Sequence, residues 1–370
     1  MRLRKIKRMM ILIVLGILFI AGYYVLSLDV YGAAPKGKRL ERIEKSKLYK
    51  DGSFHNTHFT PQLAEGYSMP KVMYDFLFGK KAENLLPKKS IPVVKTNLKN
   101  LSKDEEVFIW LGHSSYYFQT NGVSFLVDPV LSSYGSPFKF GNKSFQGADF
   151  YTPDMIPNID YLVITHDHYD HLDYPTVKSL RNKVKKVILP LGVGAHFEKW
   201  GYEPSMLIEE EWRTSIHLKK EITITYTPAR HFSGRKIKRN NTLWTSYVLK
   251  SPKTNVFMGG DSGYDTHFKE IGEKYGPFDY AIIENGQYNE AWRYIHALPE
   301  EVAQASKEIN AKKIIPVHFG KFALAKHNWY EPLDEITRLS KEQNIDILLP
   351  KIGEVLHLDQ ENEEFKVWWK

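Results

Sequence analysis

Tyr161-Leu-Val-Ile-Thr165, followed by His166-Asp167-His168-Tyr169-Asp170-His171, decides how this chain is read. The first five residues are apolar and β-rich, the pattern of a buried strand. The next six hold three histidines and two aspartates. Imidazoles and carboxylates directly after a buried strand are metal-ligand types. On extended backbone, side chains at i and i+2 point the same way, so His166 and His168 reach one metal. Asp170 and His171, past the bend, reach a second. A solvated loop has no need of three histidines in six positions. Asp167 points away from its neighbours, which predicts a carboxylate behind the site or exposed to solvent.

Working outward, the same residue types recur where other strands end. Glu221-Ile-Thr-Ile-Thr-Tyr-Thr-Pro228 alternates as a half-buried strand and runs into His231. Asn255–Met258 opens into Gly259-Gly260-Asp261, and Lys313–Val317 ends in His318. Further strands are expected at 107–111, 115–119, 123–127, 186–189, 243–249 and 278–283. Asn121-Gly122 joins two of them as a type I′ hairpin. Helices are expected at 69–78, packed on the core or forming a membrane-facing lip, and at 174–182, 194–200 and 299–310. The last has Pro299 at its start and Glu300 and Glu301 in its first turn. His196 falls within one helix and reads as a packing or surface residue. Alternating strands and helices predict a layered α/β architecture, with strands in two sets over 107–189 and 221–317. The loop 130–158, rich in Gly, Ser, Pro and aromatics, is long enough to wall a pocket. Sites gather at one end of such sheets. His166, His168, Asp170, His171, His231, Asp261 and His318 therefore suit two zinc ions, each near tetrahedral with a position open. Manganese and iron accept the same donors.

The chain has 370 residues and no cysteine, which excludes disulfides, thiolate zinc sites and a cysteine nucleophile. Its net charge of +8 is misleading. Residues 1–50 hold twelve Lys/Arg and three Asp/Glu, so the remainder carries −1. A nucleic-acid binder keeps its basic surplus on the folded domain, so no nucleic-acid partner is expected. Here the surplus flanks Met9–Leu28, twenty residues without a charge. Twenty helical residues span about 30 Å, the depth of a hydrocarbon core. The segment 1–28 therefore reads as a basic flank and membrane anchor. A cleaved signal peptide is the competing reading; the length of the run and the distance of its nearest small-residue site (Gly32-Ala33-Ala34) favour an uncleaved anchor. Arg2, Arg4, Lys5, Lys7 and Arg8 place the N-terminus in the cytoplasm and the rest outside, as a single-pass protein of the cell membrane. Residues 29–100 form a juxtamembrane stalk and extension, with 29–50 as stalk or helix. Their charged first part either holds lipid head groups or is a solvated linker. Residues 101–370 form the main domain.

His166-x-His168-x-Asp170-His171 resembles the signature of the metallo-β-lactamase superfamily. The N-acylphosphatidylethanolamine phospholipase D branch is more similar still. Trp110-Leu-Gly-His113, Asp128-Pro129, Pro190-Leu-Gly192, Thr227-Pro-Ala-Arg-His231, Gly260-Asp-Ser-Gly-Tyr264, Gly276-Pro-Phe-Asp279 and His318-Phe-Gly-Lys-Phe-Ala-Leu324 carry that similarity in order. The resemblance implies a four-layer αβ/βα sandwich behind one transmembrane helix. It also implies that His166, His168 and His231 hold one zinc, that Asp170, His171 and His318 hold the other, and that Asp261 bridges them. His113 becomes a supporting hydrogen-bond donor. His296 lies either near the substrate or, less informatively, before a helix start. His168, where oxygen-reducing relatives carry an acid, favours hydrolysis.

The activity implied is a membrane phosphodiesterase that releases phosphatidic acid and N-acylethanolamine. Water activated by the two metals is the nucleophile, with Asp261, Asp170 and His296 as catalytic residues. The partners expected are a phospholipid substrate, the bilayer and, conceivably, a second copy in a homodimer. The aromatic loop at 130–151 takes acyl chains or simply packs. A lactonase or soluble-substrate phosphodiesterase on the same scaffold is the alternative. A non-catalytic tethered binding protein is a second, although all seven ligand positions are intact.

Overall fold

The computed structural model describes residues 2–360 and 366–370; Met1 of the basic flank lies outside them. The chain opens with α1 (Arg2–Ser27), α2 (Gly37–Lys45), a short hairpin of β1 (Tyr49–Lys50) and β2 (Ser53–Phe54), and α3 (Met69–Phe78). The first half of the main domain is β3 (Val107–Trp110), β4 (Tyr116–Thr120), β5 (Val123–Val127), β6 (Ile159–Val163), α4 (Tyr174–Leu180), β7 (Val184–Pro190), α5 (Gly194–Lys199) and β8 (Leu207–Glu210). The second half is β9 (Ser215–His217), β10 (Thr223–Thr227), β11 (Ser246–Lys250), β12 (Asn255–Met258), α6 (His267–Tyr275), β13 (Phe278–Glu284), α7 (Pro299–Glu308), β14 (Ala311–Val317), α8 (Glu331–Gln343) and β15 (Val355–His357).

Two mixed sheets result, ordered β15-β3-β4-β5-β6-β7-β8 and β14-β13-β12-β11-β10-β9. One continuous buried cluster draws on both, from Phe108, Phe125 and Leu162 to Tyr226, Phe257 and Ile282. The fold is the α/β sandwich expected. The hairpin at Asn121-Gly122 has both residues at positive φ (50° and 68°), as a type I′ turn requires, and pairs Thr120 with Val123. The stretches β5-β6-β7-β8 and β12-β13-β14 are parallel. β5, β6, β12, β13 and β14 therefore deliver their C-terminal ends, and the loops that leave them, to one edge of the sandwich.

The two sets of strands separate into the two sheets, and β15, at the far end of the chain, joins the first by pairing antiparallel with β3. Two expectations need correction. The segment after α1 forms a helix, one of the two forms expected of it, but it is not a solvated linker. Ile43 of α2 is fully buried in a small cluster with Leu191, Trp212, Leu243 and Trp244, and Arg39 pairs with Glu198 (2.8 Å) and Glu209 (2.7 Å). Finally, α3 forms as expected but buries none of its residues. Its pattern is apolar nearly all round, so periodicity alone could not tell a core helix from one facing something other than protein.

Candidate metal centre

The site is built at the C-terminal ends of the strands. Thr165, two residues beyond β6, is locked by Asp128, the residue after β5. Its backbone N–H donates to Asp128 Oδ1 (2.8 Å) and its hydroxyl to Oδ2 (2.6 Å). Asp128 Oδ2 also lies 2.8 Å from His171 Nδ1, which turns Nε2 of that ring inward. His231 has its Nδ1 2.9 Å from the Ile295 carbonyl, and its Nε2 likewise faces the site. Such outer hydrogen bonds fix the tautomer and orientation of a ligand histidine.

All seven side chains named from sequence come together. His166 Nε2 and His231 Nε2 lie 2.9 and 3.1 Å from His168 Nδ1. Asp261 Oδ2 stands 3.8 Å from His166 Nε2, 3.8 Å from His231 Nε2, 3.1 Å from His171 Nε2 and 3.3 Å from His318 Nε2. Asp170 Oδ2 is 3.5 Å from His318 Nε2 and 3.8 Å from His171 Nε2. The ligand atoms converge in three groups: His166, His168, His231 and Asp261; His113, Asp170, His171 and His318; and Asp261, Glu284, His296 and His318. Asp261 lies between the first two.

The donor set fits divalent metal. Nε2 of His171, Nε2 of His318 and Oδ1 of Asp261 are buried without a hydrogen-bond partner, a costly state for atoms aimed at no cation. Burial drives His168 down to about 4 and holds His166 and His231 well below the usual histidine range, so these rings are neutral, as ligands must be. Burial opposes the charge on Asp261 and Asp170, yet the surrounding histidines, His171 foremost, hold both well below the usual carboxylate range. His171, between those two carboxylates, is pushed up despite its burial.

Other residues fall where the sequence left room. His113 does support Asp170, with Nε2 3.0 Å from Oδ2, and it also belongs to the second group of convergent ligand atoms. His296 is not a surface residue. It stacks on His318 (centroids 5.2 Å apart, 17° between planes) and sets Nδ1 3.0 Å from Glu284 Oε2. Asp167 is buried, which removes the exposed alternative. It accepts from Gly234 N (2.7 Å) and the Thr242 hydroxyl (2.9 Å) and lies 3.1 Å from His196 Nε2. His196 is accordingly buried too. Glu284, the last residue of β13, was missed: its Oε2 also lies 3.4 Å from His318 Nδ1. An acid closing an apolar strand is the signal that marked Asp261, and it applied equally to Glu284.

A cleft of about 530 Å³ opens on His168 and Asp170, rimmed by Arg235, Lys236 and Arg239. Gly135, Pro137 and Asn142 of the long loop line its wall. Of that loop's aromatics, Phe145 and Tyr151 are core, while Phe140 is exposed.

The beta-lactamase superfamily domain matches residues 124–319, which carry six of these strand ends. The chain belongs to the metallo-β-lactamase superfamily. Within the superfamily it is 34% identical over 319 residues to Uncharacterized protein Rv0906 of Mycobacterium tuberculosis, covering 84% of each chain. It is 32% identical over 269 residues to N-acyl-phosphatidylethanolamine-hydrolyzing phospholipase D 1 of Caenorhabditis elegans, covering 68% of this chain and 74% of that one. Among solved structures, the metallo hydrolase Igni18 of Ignicoccus hospitalis has the same fold, with a TM-score of 0.51, 19% identity, and coverage of 68% of this chain and 97% of that one. With its His/Asp clusters, this member of the superfamily is a metal-dependent hydrolase.

Proposed function

We propose that the protein is a membrane-anchored phosphodiesterase of the N-acylphosphatidylethanolamine phospholipase D type, holding two zinc ions and releasing phosphatidic acid and N-acylethanolamine. The observation that carries this reading is the position of the cleft. Leu26, near the end of α1, lines the same cleft as His168 and Asp170. Helix α1 is long and apolar enough over Arg4–Ser27 to cross a membrane, and the rest of the chain covers none of it. A phosphodiester in the adjoining leaflet would then face the His/Asp clusters directly. Similarity to the C. elegans phospholipase supports the same substrate class. The basic flank ahead of α1 supports a cytoplasmic N-terminus and a catalytic domain outside.

His166, His168, His231 and Asp261 would hold one cation, and Asp170, His171, His318 and the shared Asp261 the other. Bound there, the pair supplies an acidified water and charge stabilisation at the phosphoryl oxygens. The chain's own groups do the rest. Asp261 accepts and orients the proton of the attacking water. Asp170 keeps its position through His113. Burial alone would lower the His296 pKa, but Glu284, followed by Asp261 and Asp170, raises it, so the ring holds a proton for the leaving alkoxide. Lys236 and Arg239 at the rim draw the anionic headgroup in.

The test is a side-by-side hydrolysis screen of the full chain with N-acylphosphatidylethanolamine, other phosphodiesters and lactones. Release of N-acylethanolamine is expected. Lactone cleavage with intact N-acyl phospholipid would overturn the assignment in favour of a lactonase.

A further inference from the structure

Besides α1, exposed apolar side chains include Phe59 (89%), Leu86 (58%) and Val367 (52%), and a set on segments that neighbour the metal cleft. That set is α3, where Met73, Tyr74, Leu77 and Phe78 are 53%, 64%, 58% and 73% exposed, with Phe140 (88%) and Ile237 (84%). Apolar side chains gathered near one opening mark an interaction surface.

These elements surround one opening. Ile237, Leu324 and Leu26 line the metal cleft together. Phe140 stacks on Phe138, which meets Tyr31 just past α1 edge-on. α3 is fastened next to Leu324: Lys326 Nζ donates to the Asp75 carbonyl and lies 5.8 Å from the Phe76 ring centre.

The end of the anchor is held as firmly. Trp200 Nε1 donates to Asp29 O (2.8 Å), Arg235 donates twice to Val30 O (3.1 and 2.7 Å), and Ala33 N donates to His196 Nδ1 (3.0 Å). Tyr31 is buried between Phe138 and Tyr169. α1 is therefore joined to the domain by a rigid post, not a tether, and the post stands at the rim of the cleft. Lys236, Lys238 and Arg239 flank Ile237, and Lys80 and Lys81 follow α3, so cations border the apolar side chains. Apolar anchors edged by lysine and arginine match the boundary between acyl chains and anionic head groups.

From this arrangement we infer that α3, Phe140 and Ile237 enter the bilayer interface as a second membrane contact, which with the pinned anchor holds the mouth of the cleft on the lipid surface. This rests on the membrane reading above and adds an orientation to it. A second copy of the chain on α3 is the competing occupant, and it would leave the bordering cations unmatched.

The absence of cysteine makes the test direct. Single variants Leu15→Cys, Phe78→Cys, Phe140→Cys and Lys312→Cys of the full chain are labelled with a polarity-sensitive fluorophore. They are then placed in vesicles of phosphatidylcholine and phosphatidylglycerol whose acyl chains carry bromine. Lys312 opens β14, at the end of that strand remote from His318, and serves as the aqueous reference. At least twofold quenching by brominated lipid is expected at positions 15, 78 and 140. At 312, quenching only by aqueous iodide is expected. Lipid quenching at 15 with iodide quenching at 78 and 140 would overturn this inference and leave the anchor intact. Iodide quenching at 15 would instead overturn the anchor itself. Oxidative cross-linking of two Phe78→Cys chains, with position 78 shielded from both quenchers, would assign the face to a homodimer and reject the bilayer contact.

Discussion

Asp261 Oδ2 lies 3.1 Å from His171 Nε2, and the same oxygen reaches toward His166, His231 and His318 from the end of β12. Asp261→Asn keeps the shape and removes the charge that would offset the two proposed cations. Metal content should fall from two ions per chain to one or fewer, and hydrolysis by more than about 100-fold, beyond the ~10–100-fold typical of supporting residues. Metal analysis beside a rate measurement decides it: two ions and full activity would rule out the shared-carboxylate role.

Glu284 makes a different prediction, because it touches two rings from behind. Its carboxylate contacts Nδ1 of both His296 and His318. Glu284→Gln should preserve the fold and cost ~10–100-fold in activity or metal affinity. His296→Ala should lower kcat while leaving metal content at the wild-type level. A Glu284→Gln protein with unchanged metal dissociation and unchanged kcat would show that the carboxylate does no positioning.

The side chains that converge in the site were legible because their signal is local: a buried strand, then imidazoles and acids where it ends. His166 through His171, His231, Asp261 and His318 all obey that rule. Glu284 obeys it too, closing β13 as Asp261 follows β12, and the same rule would have found it. Asp128 showed only as the end of a hairpin, since its contacts with Thr165 and His171 join residues 37 and 43 positions apart. β15 was invisible because its three residues form a strand only through pairing with β3. For α3 the pattern specified a helix and left open what its apolar face meets.

Asp160, far from the metal site, ties stability to pH. Lys185 Nζ (2.9 Å), Lys219 and the Ser124 N–H (3.1 Å) all donate to its carboxylate. Burial alone would raise its pKa, but these donors together lower it to about 2. A carboxylate whose pKa is depressed in the folded state stabilises the fold above its ordinary value of 3.8, and that contribution is lost as pH falls from there through about 2. Both lysines reach in from solvent, so screening reduces the effect to roughly 1 kcal/mol. Asp160→Asn should lower unfolding stability by that amount at pH 7. The gap to wild type should close between about pH 4 and pH 2 in parallel urea titrations. A gap independent of pH would assign the cost to lost packing.

The post between anchor and domain can be broken at Gly32. Its backbone sits at φ 61° and ψ −152°, a region essentially reserved for glycine. A methyl group there would overlap the His196 ring. That ring contacts Asp167, which lies between His166 and His168. Gly37 is the natural comparison: it also has positive φ (52°), but a methyl group on its Cα would meet nothing within 4 Å. Gly37→Ala should cost only backbone strain, about 1 kcal/mol. Gly32→Ala adds the overlap and should cost ~2–4 kcal/mol, with the damage carried through His196 toward Asp167. Thermal unfolding of both variants, with metal content measured alongside, separates the cases. Equal losses in stability would mean that the post yields without disturbing His196. A larger loss at Gly32 accompanied by weaker metal retention would show that the junction after α1 and the histidine loop share one rigid support.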